Sequence, residues 1–126
     1  MKEVMAIIRM NMMNKTKVAL ADADISSFTA TGKVLGRGKG QVDYRILNGA
    51  KDGYEEAVSQ LGQGPRLIPK RLISVVVPDH LVDKVVSTII ETNRTGNPGD
   101  GKIFVLPVND AIRVRTSQAG DSILDE

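Results

Sequence analysis

Short apolar runs separated by polar or glycine-rich segments organise the first part of the chain. Residues 3–10, EVMAIIRM, predict a first strand, and residues 15–23 predict a helix that Asn14 would cap. Residues 27–35, which include Phe, Thr and Val, predict a second strand. The chain therefore begins with a strand–helix–strand unit.

The same order of elements returns in the second half. Residues 67–77, LIPKRLISVVV, predict a strand that Pro78 ends, and Asp79 would cap the helix that follows. Apolar residues of that helix form one stripe at helical spacing: Leu81, Val82, Val85, Val86, Ile89 and Ile90. Strands are then predicted at residues 102–108 and 111–116, and residues 117–126 are expected to form a loose C-terminal tail.

Two such units in 126 residues predict a single α+β domain, a ferredoxin-like double βαβ sandwich with both helices on one face of a four-stranded sheet. The third strand carries mainly apolar residues on both faces: Ile73, Val75 and Val77 on one, and Leu72, Ser74 and Val76 on the other. One layer of helices covers only one face, so we expect an oligomer joined through the uncovered face.

Residues 36–66 contain seven glycines and show little hydrophobic periodicity. A connection of this length without regular elements is unusual in a compact domain, and such loops are typically functional or disordered. We therefore expect a long flexible loop here.

Composition excludes several classes of function. The chain has no Cys, so disulfide and thiolate chemistry are excluded, and its net charge is only +2. With two Phe and two Tyr it lacks the stacking aromatics of an RNA-binding sheet, and no apolar run is long enough for a membrane span. We expect a cytoplasmic protein that neither binds nucleic acid nor inserts into a membrane. No grouping of residues resembles a catalytic constellation, so an enzyme is not expected.

The segment TGNPGDGKIFV, residues 95–105, carries the most specific chemistry. Its G-x-x-x-x-G-K pattern resembles a Walker A motif, but Ile103 stands where Ser or Thr must bind Mg²⁺, and the loop follows a helix instead of a strand. The glycines still allow backbone N–H groups to converge on an anion, and Lys102 adds a positive charge. A simple turn after the helix explains the same residues, and the pattern alone leaves both interpretations open.

Other basic residues extend the phosphate-binding hypothesis. Arg113 and Arg115 alternate on the predicted last strand, so both would face the same side and could bind a triphosphate together with Lys102. The GRGKG turn at residues 36–40 could approach the same phosphates, and Lys70 could receive a carboxylate. The alternatives are a solvated edge strand, an exposed hinge and a solvated edge lysine.

These segments together resemble one known family. TGNPGDGKIFV followed by AIRVRT closely resembles the nucleotide-binding segment of the PII (GlnB-like) signal transduction proteins. AIIR at residues 6–9, PK at 69–70 and VVVPD at 75–79 fall where that family has its counterparts. The resemblance implies a trimer of ferredoxin-like subunits with ATP or ADP in the clefts between neighbours. It also implies 2-oxoglutarate beside ATP through a shared Mg²⁺, and a T-loop at residues 36–66 that docks onto target proteins.

The resemblance also implies the site residues by position. Nucleotide contacts are expected from Thr29 and Val76 at the adenine, from Gly38 and Lys39 at the base of the T-loop, and from Gly99, Asp100, Gly101, Lys102, Arg113 and Arg115 at the phosphates. Contacts to 2-oxoglutarate are expected from Gln41, Lys70 and Gly99, with Gln41 also serving Mg²⁺. Gln41 is displaced from its usual place, because the family's GRQKG reads GRGKGQ here.

The long loop, and IIRMN in place of IIRP or IIKP, resemble the subgroup that regulates nitrogenase directly together with a sister PII-like subunit. The expected function is a nitrogen regulator that senses ATP or ADP and 2-oxoglutarate. It would inhibit nitrogenase when 2-oxoglutarate is low, without acting on transcription, as a homotrimer or a hetero-oligomer with the sister subunit. The alternatives are a regulator of an ammonium transporter or glutamine synthetase, a slow ATPase, and a related metal or amino-acid sensor.

Overall fold

The described residues form four antiparallel strands and two α-helices. The computed structural model describes residues 1–36 and 67–124, so Gly38, Lys39, Gln41 and nearly all of the expected T-loop lie outside the described residues. The elements are β1 (Lys2–Arg9), α1 (Met13–Asp22), β2 (Thr29–Gly36), β3 (Ile68–Val77), α2 (Val82–Asn93) and β4 (Lys102–Pro107). The strand order β2-β3-β1-β4 confirms the predicted α+β, ferredoxin-like arrangement.

One face of the sheet forms the hydrophobic core with the helices. In the antiparallel pairing of β1 with β3, Val4 lies opposite Val75 and Ala6 opposite Ile73, and all four side chains have no exposed surface. Alternate residues of a strand point to the same face, so this buried set follows directly from the alternation in the sequence. The core therefore lies between the two central strands and the helix layer.

Helix α2 packs onto this core through residues four apart, Val85, Ile89 and Asn93. Asn93 is polar but satisfied on its donor side, because Nδ2 donates to Thr16 Oγ1 of α1 at 3.1 Å and to the Ile89 carbonyl at 2.9 Å. The predicted amphipathic stripe is thus confirmed, and a buried polar contact ties the helices together. Neither α1 nor α2 is long and apolar enough to cross a bilayer.

The opposite face of the sheet carries several apolar side chains around a hydrogen bond from Ser74 Oγ to Glu3, and it has no covering layer within the described chain. Phe104 and Leu106 of β4 keep 44% and 37% of their surface exposed, and they lie opposite Met5 and Glu3 of β1. The half-buried Leu72 belongs to the same face, because it lies opposite Ile7. This surface, the uncovered face, is the one that the sequence predicted would need an additional layer.

Both predicted helix caps are wrong. Helix α1 begins at Met13 with Met12 at its N-cap and no capping side chain, so Asn14 lies inside the helix. Asp79 belongs to a 3₁₀ turn, Asp79–Leu81, that precedes α2. In both cases the chain passes from a strand into a 3₁₀ turn before the α-helix begins, which shifts the helix start away from the polar residue.

The predicted last strand is also wrong, because residues 111–120 form a tight turn. Arg113 N–H donates to the Gln118 carbonyl at 2.8 Å, and Ser117 N–H donates to the Arg113 carbonyl at 2.8 Å. Only an isolated bridge, between Ile112 and Ala119, has β geometry. The segment AIRVRT has strand-like alternation, but it pairs with its own continuation instead of an edge of the sheet.

Candidate functional site

The segment that joins α2 to β4, residues 95–101, is here called the glycine loop. Gly96, Gly99 and Gly101 have φ values of 85°, 98° and 115°, a region that residues with a side chain rarely adopt. A Cβ atom on Gly101 would also overlap the carbonyl oxygen of Ile7 in β1. The glycines therefore allow the loop to turn tightly and to lie directly against the sheet.

The Asp100 side chain organises the loop from within. Its carboxylate accepts hydrogen bonds from Thr95 N–H at 2.8 Å, from Gly96 N–H at 3.0 Å and from the Thr95 hydroxyl, and it forms an ion pair with Arg9. Burial raises the pKa of Asp100, but the hydrogen bonds from Thr95, Arg9 and Gly96 outweigh it and hold the pKa well below its usual value. Asp100 is therefore a carboxylate, and only its backbone N–H is suited to a phosphate.

Two basic side chains from the sheet hold the carbonyl groups of the loop. Arg9 Nη2 donates to the Pro98 carbonyl at 2.9 Å, and Lys70 Nζ donates to the Gly99 carbonyl at 3.0 Å. Arg9 and Lys70 lie directly opposite each other on β1 and β3. Lys70 is only 6% exposed, so the alternative of a solvated edge lysine is wrong. The role of Arg9 is not evident from the sequence, because its partner Asp100 is 91 residues away.

The remaining surface of the loop is suited to an anion. Lys102 begins β4 and is exposed, next to the loop. None of the hydrogen bonds found among the described residues uses the backbone N–H groups of Gly99, Asp100 or Gly101. Unpaired amides beside an ammonium group are the chemistry that binds phosphate oxygens.

The residues expected at the adenine lie elsewhere on the chain. Thr29 is exposed on β2 and lies opposite Ser74, so it shares the uncovered face with Val76 two residues further along β3. Strands β2 and β4 are the two edges of the sheet. With three strand spacings between them, Thr29 and Lys102 are separated by roughly 14 Å across the sheet. Within one chain, Thr29 on the β2 edge and Lys102 on the β4 edge are therefore separated by the width of the sheet.

Arg113 and Arg115 lie in the turn that follows β4, whereas Lys102 lies at the start of that strand. Because these arginines are not on a strand, the alternation argument for their common direction is wrong. Arg113 is half-buried and its Nη1 donates to the Gln118 side chain, and Arg115 is exposed. Between Lys102 and this arginine turn the chain runs along β4, a strand roughly 17 Å long.

A cavity of about 470 Å³ opens beside the glycine loop, between α2 and β4. Its walls are mainly apolar, with Val86, Ile90 and Val105 among them, and Gly101 and Lys102 reach its edge. It lies on the helix side of the sheet, whereas Thr29 and Val76 are on the uncovered face. The cavity is therefore not the place where the two groups of predicted nucleotide residues meet.

Comparison with known proteins shows which family this chain resembles. The family model described as "Nitrogen regulatory protein P-II" matches residues 1–118. "Nitrogen fixation nifHD region GlnB-like protein 2" of Methanobacterium ivanovii is 47% identical over 129 residues, covering 98% of this chain and 99% of the relative. The protein of the same description from Methanothermococcus thermolithotrophicus is 47% identical, with 96% of each chain covered.

A bacterial relative extends the similarity beyond nitrogen-fixation regions. "Nitrogen regulatory protein P-II 1" of Escherichia coli strain K12 is 40% identical, covering 98% of this chain and 100% of the relative. The family model and these relatives each span almost the entire chain, including the glycine loop. The chain therefore belongs to the PII family of nitrogen regulatory proteins, which are signal proteins and not enzymes.

Proposed function

We propose that this protein is a cytoplasmic PII sensor that binds ATP or ADP at a site shared between neighbouring copies and reports 2-oxoglutarate to a nitrogen-metabolism target. The observation that supports the proposal is the glycine loop, which has three left-handed glycines and is followed directly by Lys102. Its amides at Gly99–Gly101 form no hydrogen bond with another described residue. This arrangement fits a polyphosphate in charge and in hydrogen-bond type.

The separation of Thr29 from Lys102 within one chain supports a site built from neighbouring copies, and we propose that three copies form a trimer. If β4 of one copy lies beside β2 of the next, its glycine loop approaches the neighbour's Thr29 and Val76. Burying the uncovered face in the same contact removes the exposed surface of Phe104 and Leu106 from water, which favours association. The arginine turn would complete the phosphate site from one of the two copies.

The described residues fit a nucleotide better than an isolated metal ion. Residues 1–36 and 67–124 contain no group of three His, Asp or Glu side chains that could hold a cation. Mg²⁺ would therefore take most of its ligands from the phosphates and from Gln41, with Gly38 and Lys39 closing over the nucleotide. Bound there, Mg²⁺ would neutralise phosphate charge and offer a coordination position to a 2-oxo acid.

We propose that Lys70 binds the effector 2-oxoglutarate. Its ammonium group is buried beside Gly99 at the end of the glycine loop. A carboxylate of 2-oxoglutarate placed there would be matched by a charge-assisted hydrogen bond in surroundings with little water. Because Gly99 belongs to both parts of the site, effector and nucleotide would bind cooperatively.

The proposed output is inhibition of nitrogenase when 2-oxoglutarate is low, through a T-loop at residues 36–66. The similarity to proteins described as belonging to nifHD regions supports this target. The assembly would be a homotrimer or a hetero-oligomer with a sister PII-like subunit. The E. coli relative is described as a nitrogen regulatory protein without mention of nitrogen fixation, which supports a second candidate outside nitrogen fixation. In that case the proposed target is an ammonium transporter or glutamine synthetase.

A pulldown with the full chain as bait, from nitrogen-starved cells of the source, tests the output. With MgATP and no 2-oxoglutarate we expect a nitrogenase component to be retained, and we expect added 2-oxoglutarate to release it. Retention of an ammonium transporter or glutamine synthetase instead would replace the nitrogenase proposal with the second candidate. Retention that does not respond to 2-oxoglutarate would contradict effector sensing.

The substitution Arg113→Ala tests the arginine turn. We expect ATP binding to weaken about tenfold or more, because a charge-assisted contact contributes about 1.5–3 kcal/mol. Thermal stability should change little, since the turn lies outside the core. Calorimetry measures the ATP affinity and a melting curve measures the thermal stability. An ATP affinity equal to that of the wild type would show that Arg113 is not part of the site.

A further inference from the structure

We propose that Arg9 is a positioning residue of the anion site, which holds the glycine loop in the shape that binds phosphate without itself contacting the ligand. The inference rests on the proposed nucleotide binding and adds to it a residue of β1 that serves the loop. Neither the sequence pattern nor the resemblance assigned Arg9 a role.

The contacts of Arg9 connect two parts of the loop. Nη1 forms an ion pair with the Asp100 carboxylate, and Nη2 donates to the Pro98 carbonyl at 2.9 Å. Asp100 in turn accepts the Thr95 and Gly96 N–H groups at 2.8 and 3.0 Å. The Arg9 guanidinium thus connects strand β1 directly to Pro98 and Asp100, and the Asp100 carboxylate extends this connection to the start of the loop.

Arg9 acts beside two further restraints from the sheet. Lys70, opposite Arg9 on β3, holds the next carbonyl of the loop, that of Gly99, and Ile7 of β1 contacts Gly101 so closely that only glycine fits. The carbonyl groups of Pro98 and Gly99 therefore both accept hydrogen bonds from side chains of the sheet. With these carbonyls held, the N–H groups of residues 99–101 stay available for an anion.

A planar guanidinium suits this task better than an ammonium group. Two of its N–H groups reach two different acceptors at fixed angles, whereas lysine presents one point charge on a flexible stem. Arg9→Lys would keep the ion pair with Asp100 and lose the simultaneous contact to Pro98. Arg9→Ala would lose both contacts and leave the Asp100 carboxylate without its cation.

The first measurement uses the protein without nucleotide. Hydrogen exchange of the Thr95 and Gly96 amides should become about tenfold faster in Arg9→Ala, with Arg9→Lys intermediate and core amides unchanged. Arg71→Ala is the matched control, because Arg71 donates to the Thr31 carbonyl of β2 at 2.9 Å and not to the loop. Wild-type exchange of the loop amides in Arg9→Ala would overturn the proposal.

The second measurement compares ATP with adenosine as ligands of the same variants. Loss of the loop geometry in Arg9→Ala should weaken the binding of ATP about tenfold and leave the binding of adenosine unchanged. Only ATP has phosphates that the loop amides can bind. Equal losses for both ligands would show a general structural defect and overturn the positioning role. If wild-type protein bound no ATP, the nucleotide proposal would fail, whereas the exchange experiment would still show whether Arg9 holds the loop.

Discussion

At the scale of single residues, Asp100 accepts four hydrogen bonds, two from Thr95 and one each from Gly96 and Arg9. A carboxylate with these donors is stabilised in its charged form, and it keeps the loop closed. The family resemblance counted Asp100 among the phosphate residues. The geometry of its side chain is that of a support within the loop, and its backbone N–H remains available to the ligand.

The lowered pKa of Asp100 sets the direction of a pH effect. Because the pKa is lower in the folded protein, the stabilisation is complete above the pH at which an unfolded Asp titrates, about pH 4, and it is lost as pH falls further. We expect the NMR shift of the Asp100 carboxyl carbon to stay constant down to about pH 4. Titration near pH 6 would contradict the hydrogen-bonded carboxylate.

Contacts between residues could be predicted from the sequence only where the two residues lie close together in the chain. The cluster of Gly99, Gly101 and Lys102 was evident because its residues are neighbours in the sequence. The contacts of Lys70 with Gly99 and of Arg9 with Asp100 join strands to a loop over 29 and 91 positions. Local pattern carries no information about such distances, and only the pairing of β1 with β3 brings both cations to the loop.

At the scale of elements, the strongest periodic signals predicted the fold correctly. The apolar stripe of α2 packs onto the core as expected, and β3 buries Ile73, Val75 and Val77 while its other face stays partly exposed. The failures lie at element ends and in the last segment. Asn14 and Asp79 are good caps by residue type, but the 3₁₀ turns before both helices determine where each helix begins. AIRVRT alternates like a strand and pairs with no strand of the sheet.

Ile73→Ala tests the core that these elements build. Ile73 has no exposed surface at the centre of β3, so its truncation should cost about 2–5 kcal/mol of unfolding free energy. Val18→Ala on the outer side of α1 is the control, because Val18 is 61% exposed and should cost about 0.5 kcal/mol or less. Urea denaturation measures both, and equal costs would contradict the assigned core.

At the scale of the whole molecule, the partly apolar uncovered face and the separation of Thr29 from Lys102 both favour association with further copies of the chain. The helices cover one side of the sheet. On the other side, a second surface is needed to shield Leu72, Phe104 and Leu106 from water. We expect other copies of the chain to supply it. Association of the copies would place the glycine loop of one copy next to the β2 edge of another.

Leu72→Glu tests this assembly. A carboxylate on the uncovered face would have to be desolvated in the contact, so the variant should sediment as a monomer of about 13.6 kDa at micromolar concentration. Val18→Glu places the same charge on the exposed side of α1 and should leave the oligomer intact. A wild-type protein that sediments only as a monomer would contradict assembly through this face.

The most direct test of nucleotide sensing is a calorimetric titration of the wild-type protein and Lys102→Ala with MgATP. We predict saturable binding of one nucleotide per chain, weakened about tenfold or more in Lys102→Ala and unchanged in Lys84→Ala, which removes an exposed lysine from α2. The absence of wild-type binding at millimolar MgATP, or equal affinity in the Lys102 variant, would contradict a phosphate site at the glycine loop.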